Sequence, residues 1–293
     1  LAALALSAPV VAGVLAPAAA QLQLWPSPDR RVWTGPDGEL LPFRTDEEIL
    51  DFLRTATVIS TKTIPVGVTR PLKVLLERDG VRMHSVFRHV DLFKKQWRSR
   101  EGIKTNFRDS CRFEVAAYEL GRLLGIDNIP PVVEREVEGR KGTLQAWVEG
   151  AMTEVTRKEK GLEPPEPSRW MFQYQVMWLF DNLIFNDDRN KGNILIDQNW
   201  NLWMIDATRA FRPVNHLRNP RIVRHCERGV WERLNSVTDD EIRRRLDPYL
   251  GSFEMSCLLK RRQRLVEHLE ELIRTRGEEV VLFDRHRLGS TPR

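Results

Sequence analysis

The chain has 293 residues, 41% of them hydrophobic, enough apolar material for one large domain or two lobes around a core. Its 46 basic and 41 acidic residues leave a net charge of +5, but the signs are mixed along the length, whereas a dedicated nucleic-acid surface would show as a segregated basic stripe. No repeat period argues for a solenoid, and Cys111, Cys226 and Cys257 allow at most one disulfide, too few to staple a scaffold.

In chain order, Leu1–Ala20 carries no charge and ends in three alanines before Gln21. Small residues there suit signal-peptidase cleavage, and Pro9 and Pro17 argue against a well-formed spanning helix, so residues 1–20 are expected to be a signal peptide without its start. The alternative is an uncleaved membrane anchor, because about twenty apolar residues can just span a bilayer. Residues 21–44, with Pro26, Pro28 and Pro36, read as an extended linker. "RTDEEILDFL" offers Thr45 as an N-cap and acids in the first turn, predicting a short helix.

Three β-like runs follow, "ATVISTKTIPVG", "PLKVLLERDG" and "VRMHSVFRHV", with a hairpin signal at Asp79-Gly80. "RFEVAAYELGRLLG" carries Phe113, Ala116, Ala117, Leu120, Leu123 and Leu124 on one helical face, with Gly125 just past the end. "VVEREVEG" and "GTLQAWVEG" are strand-like and joined at Gly139–Gly142; "TRKEKGLEPPEPSR" is a charged connector; and the chain beyond Trp170 reads as helical except between Phe180 and Phe211. The run "KRRQR", Lys260–Arg264, falls on a C-terminal amphipathic helix and reads as its solvated face. The order of elements predicts an α+β fold of two lobes, a small β-rich one over residues 45–150 and a larger helical one over 151–284, with a tail at 285–293.

The exceptional stretch is "FDNLIFNDDRNKGNILIDQNWNLWMIDATRAF". A helix runs into a polar loop too rich in Asx and Gly to continue, then two short apolar runs form a hairpin that ends at Asp206. Being apolar on both faces, these strands must be buried, which would hold Asn193 and Asp206 rigidly and close together. Phosphoryl transfer from ATP needs a carboxylate to orient the attacking hydroxyl, and oxygen ligands to hold divalent metal against the phosphates. Asp188 fits the first task, Asn193 and Asp206 the second. A helix-ending turn with Asx side chains bonded to their own backbone fits the same residues locally. A calcium loop does not, because Lys191 stands where an EF-hand needs Gly.

The order D-R-x-x-x-N, hairpin, Ile-Asp resembles the catalytic and metal-binding segments of atypical kinases: phosphoinositide kinases, HipA-like kinases, and the secretory-pathway kinases of secreted proteins and proteoglycan xylose. The last group is also similar in "PLKVLLERDGVRMHSVFRHVD", "EVAAYELGRLLGIDNIPPVVER" and "RHCERGVWERL", in the same order over Val66–Leu234. The resemblance implies a two-lobed atypical-kinase fold using ATP with Mg2+ or Mn2+. It implies Asp188 as catalytic, Asn193 and Asp206 as metal ligands, Glu114 as the regulatory-helix glutamate, Gly67 in the phosphate-covering loop, and Trp147, Val148 and Glu149 near the adenine. The family's phosphate-binding lysine is here Arg88, which keeps the charge but not the geometry, with Lys73 or Lys94 as substitutes. The expectation is an exported kinase acting on a protein or sugar hydroxyl, with no nucleic-acid partner, and membrane contact only if residues 1–20 remain. A nucleotide-binding pseudokinase and a lipid kinase on the same fold are the alternatives.

Overall fold

The computed structural model describes residues 32–65, 70–99 and 102–284. The expected signal peptide, much of the expected linker, the phosphate-covering Gly67 and the tail after Asp284 lie outside the described residues.

Helix α1 (Asp46–Thr55) opens with a reciprocal capping box between Thr45 and Glu48, which satisfies two backbone N–H groups that the first turn would otherwise leave open. Strands β1 (Thr57–Thr63), β2 (Leu72–Arg78) and β3 (Val81–Arg88) follow. Asp79 and Gly80 both take positive φ, 54° and 78°, the geometry of a two-residue hairpin turn. β4 (Asp91–Ser99) and β5 (Gly102–Ser110) form a separate hairpin, in a stretch to which the sequence assigns no element. Helix α2 (Arg112–Leu124) ends at Gly125, whose φ of 70° is the left-handed cap.

β6 (Val132–Val137) and β7 (Arg140–Ala146) complete an antiparallel five-stranded sheet of order β1-β2-β3-β7-β6. Their turn is Glu138-Gly139, so Arg140–Gly142 belongs to β7 instead of the connection expected there. Gly142 has a reason to be glycine: a Cβ would stand 2.2 Å from the Arg88 carbonyl.

Past the sheet come β8 (Met152–Thr153) and α3 (Glu154–Glu159), a helical turn inside the expected connector, capped by Thr153. The long α4 (Pro167–Ile184), β9 (Ile194–Ile196) and β10 (Leu202–Met204) follow, then β11 (Cys226–Glu227), α5 (Arg228–Ser236), α6 (Asp239–Leu246), α7 (Ser252–Arg276), α8 (Glu278–Val281) and β12 (Leu282–Phe283). Residues 205–225 are mostly irregular, so the helical expectation beyond Trp170 overstates this half. The result is a β-rich N-terminal lobe and a helical C-terminal one, sharing a continuous core from Trp33 to Phe283.

The basic run on α7 contradicts its expected solvated role at one position. Arg261 is fully buried and donates to the carbonyls of Leu183, Arg212 and Val214. A carbonyl from the last turn of α4 and two from irregular chain converge there, and a guanidinium fork satisfies them where an apolar residue could not. Among the described residues no helix is long and apolar enough to cross a membrane. Cys111, Cys226 and Cys257 are buried free thiols, with burial pushing Cys111 up to about 12.

Candidate active site

Helix α4 ends where Phe185 takes a left-handed φ of 48°, releasing the chain into the polar loop. Arg189 organises that loop. Its guanidinium grips Asp181 at 3.0 Å and donates to the carbonyls of Asn193 at 2.8 Å and Ile205 at 2.6 Å. One side chain therefore ties the last turns of α4 to both strands of the hairpin. A 3-10 turn over Lys191–Asn193, capped by Asn190, leads into β9.

The hairpin is fixed from outside as well. β9 and β10 pair with Met204 opposite Ile194, which brings the Ile205 N–H to the Asn193 carbonyl at 3.3 Å. Asp197 closes the turn by accepting from the N–H groups of Asn199 and Asn201, both at 2.9 Å. Gln173 of α4 accepts the Leu202 N–H at 2.7 Å and donates to the Trp200 carbonyl at 2.9 Å. Three-residue strands alone would not hold a site, and these side chains and the surrounding core supply what strand length does not.

The loop, the hairpin and the inner strands β3 and β7 of the N-terminal sheet line a cavity of about 560 Å3. Arg88, Trp147, Val148, Asp188, Asn193 and Asp206 line it, so six of the sequence-selected residues meet there. Four described ones do not line it. Glu114 stands behind Arg88, with its carboxylate 3.0 Å from the guanidinium. Lys73 places its ammonium 4.3 Å from the Trp147 ring centroid. Glu149 turns to His84, whose Nδ1 it meets in a close hydrogen bond outside the cavity wall. Lys94 lies over the Trp97 ring on the β4–β5 hairpin, away from the cavity lining.

Asp188 accepts the side-chain amides of Asn190 and Asn193 on its backbone carbonyl, each at 3.1 Å, and its carboxylate meets Arg209 at 3.1 Å. Burial pushes its carboxyl above the ordinary range; Arg209 pulls it down, and Asp206, Asp187 and Asp109 push it up. Because Asn193 spends its amide nitrogen on Asp188, its Oδ1 remains to accept. Asp206 has a φ of 58°, a left-handed conformation that costs a non-glycine residue energy and persists only where the surroundings impose it. Its Oδ1 accepts from Thr208, and Oδ2 has no hydrogen bond among the described residues. A carboxylate and an amide oxygen side by side form a hard donor set that fits Mg2+ or Mn2+. Among the described residues there is no cluster of three His, Cys, Asp or Glu that could hold a metal ion.

Glu114 and Arg88 are nearly inaccessible, at 1% and 8% side-chain exposure. Burial pushes Glu114 up to about 7, with Arg88 pulling against it. Glu114 Oε2 accepts from Thr143 at 3.0 Å, whereas Oε1 lies 3.0 Å from Arg88 Nη1 without an aligned hydrogen bond, so that contact is mainly Coulombic. Burial works against the charge on Arg88, but Glu114 and then Asp206 leave it more firmly protonated than usual. The Arg88 Nε and Nη2 groups make no hydrogen bond to a described residue.

Sequence reasoning missed Asp109, Arg209, Thr208 and Gln145 in the lining and the bracing role of Arg189. Arg209 had a local signal, lying three residues after Asp206. Asp109 had none, because only the fold of the β4–β5 hairpin brings it to the cavity.

No family model matches the chain, and no curated protein is similar enough in sequence to match. Solved structures do match in three dimensions. A hydra Fam20 determined with sugar is 16% identical, with 82% of this chain and 92% of that one covered and a TM-score of 0.59. The Golgi casein kinase with Mn/ADP bound is 14% identical, covers 81% and 78%, and gives 0.58. The Helicobacter pylori proinflammatory kinase CtkA is 12% identical, covers 79% and 98%, and gives 0.50. At these identities the likeness speaks to architecture: the chain shares the two-lobed, kinase-like fold of these structures.

Proposed function

We propose that the protein is an exported kinase that uses ATP with Mg2+ or Mn2+ to phosphorylate a hydroxyl of a protein or sugar acceptor. One observation carries this reading: a single braced loop and hairpin present Asp188, Asn193 and Asp206 to the cavity that Arg88 enters from the other lobe, backed by Glu114. The fold shared with a manganese- and ADP-bound casein kinase and a sugar-bound Fam20 supports it.

In this reading Asp188 aligns the acceptor hydroxyl and takes its proton, a task favoured by a carboxyl held above its ordinary range. Arg88 grips a phosphate oxygen through the donors that Glu114 leaves over. Trp147 and Val148 flank the base at the end of β7. A divalent cation held by Asn193 Oδ1 and Asp206 supplies the charge neutralisation that phosphoryl transfer requires. Catalysis is then mostly positioning and electrostatics.

The test combines thermal shift with ATP and Mn2+ and transfer of radiolabelled phosphate. Asp206→Ala should abolish metal-dependent stabilisation by nucleotide, and Asp188→Ala should keep most binding while losing transfer. Equal loss of binding in both folded variants would overturn the division of roles. Arg88 favours a second reading, a nucleotide-binding pseudokinase, for which Arg88→Lys would raise transfer from near nothing to a measurable rate. Export is tested separately: N-terminal sequencing of the mature protein should begin at or near Gln21, and a full-length cytoplasmic product would refute it.

A further inference from the structure

We propose that Arg209 is a positioning residue that sets the orientation of the Asp188 carboxylate. The proposal rests on the reading of Asp188 as the group that aligns the acceptor. Every other described hydrogen bond to Asp188 reaches its backbone: its N–H donates to Asn186, and its carbonyl accepts from Asn190 and Asn193. Among the described residues its carboxylate is held by Arg209 alone, through Oδ2 at 3.1 Å, which leaves Oδ1 for a hydroxyl.

Arg209 can fix a partner because it is itself fixed. Its Nε donates at 2.8 Å to Asp109 Oδ2, on a carboxylate only 4% exposed. Its guanidinium carbon lies 5.7 Å from the Phe107 ring centroid, within cation–π range. The residue before it, Thr208, accepts the Ser110 N–H at 2.8 Å, which ties the end of β5 to the segment after Asp206. A planar guanidinium bonded at Nε to one carboxylate and at Nη1 to another passes the rigidity of the first to the second, more fully than a flexible ammonium does. The other oxygen of Asp109 is buried without a hydrogen bond to a described residue, so Arg209 is the described side chain that holds this carboxylate.

ATP hydrolysis tests this with water as acceptor, so the natural acceptor need not be known. Arg209→Gln should lower turnover on the order of a hundredfold, the scale on which misplacing a catalytic group by about 1 Å acts. KM for ATP and affinity for Mn·ADP should stay within about twofold, and Arg209→Lys should recover part of the turnover. In an Asp188→Asn background, Arg209→Gln should cost nothing further. Fully multiplicative losses, or a fall in Mn·ADP affinity that accounts for the lost turnover, would overturn the proposal. If the unaltered protein binds Mn·ADP but neither hydrolyses ATP nor transfers its phosphate, the kinase reading fails on its own. The unaltered protein, Arg209→Gln, Asp188→Asn and the double variant, unfolded in urea, then decide the Arg209 contact: non-additive midpoints uphold it, and additive ones overturn it.

Discussion

Two buried arginine–carboxylate pairs flank the cavity, and they are built for different ends. Arg189 and Asp181, at 6% and 8% side-chain exposure, form a saturated knot: the arginine gives every nitrogen to its partner or to the carbonyls of Asn193 and Ile205. Arg88 and Glu114 are just as inaccessible, yet Arg88 lines the cavity and keeps donors in hand, and Glu114 is pushed up to about 7. Burial alone therefore does not separate a brace from a ligand-binding group. What sets Arg88 apart is that its unspent donors belong to a side chain in the cavity lining.

The difference predicts its sharpest contrast in stability. Arg189→Ala should cost roughly 3–5 kcal/mol, because it strands a buried Asp181 charge and opens two carbonyls. Arg189→Lys should recover little, since an ammonium cannot reproduce the directed bonds of the fork. Denaturant unfolding measures both. A loss under about 1 kcal/mol for Arg189→Ala, the size of an exposed pair, would mean that the knot is not the brace described.

For the second pair the damage should fall on ligand and not on fold. Arg88→Ala should weaken Mn·ADP binding by roughly ten- to a hundredfold, equivalent to about 1.5–3 kcal/mol for a charge-assisted contact, and Arg88→Lys should retain it. The fold tolerates the loss because Glu114, already raised by burial, can take a proton and become neutral. Titration calorimetry reads the affinity. Unchanged binding in both variants, with loss in Lys73→Ala, would move the phosphate contact to the lysine over Trp147.

How far the sequence could see follows the same division. The Asp188, Asn193 and Asp206 set was legible because its members share one short stretch whose apolar strands had to be buried. Arg88 and Glu114 were legible only through a family resemblance, since no local pattern relates β3 to α2. Arg189 stood in full view inside the motif, but its partners, Asp181 and two carbonyls, are set by the helix end and the hairpin register. Asp109 and Arg209 could not be paired at all, because they lie on segments 100 residues apart.

The Glu114 carboxyl gives the first pH signature. Its folded value of about 7 lies above the ordinary 4.5, so the folded protein holds a proton that the unfolded chain releases between those limits. The stability this provides is complete below about 4.5 and fades as pH rises through about 7. Urea midpoints from pH 4.5 to 8 should fall accordingly in the unaltered protein and flatten in Glu114→Gln. In Arg88→Ala the fall should extend to higher pH, because the charge that pulls Glu114 down is gone. An unchanged profile in Glu114→Gln would assign the pH dependence to other groups.

The smallest effect belongs to Lys94, a cation with neither the burial of Arg189 nor the cavity position of Arg88. It lies on the exposed β4 strand, 4.1 Å from the Trp97 ring centroid, and Trp97 in turn stacks on Phe107. An exposed cation–π contact of this kind is worth about 0.5–1 kcal/mol, and solvated charge recovers part of that on release. Lys94→Ala should therefore shift the urea midpoint only slightly and leave Mn·ADP affinity within error, whereas Arg88→Ala does the reverse. A large loss of nucleotide affinity in Lys94→Ala would place the β4–β5 hairpin over the phosphates and make Arg88, for all its burial, a second brace.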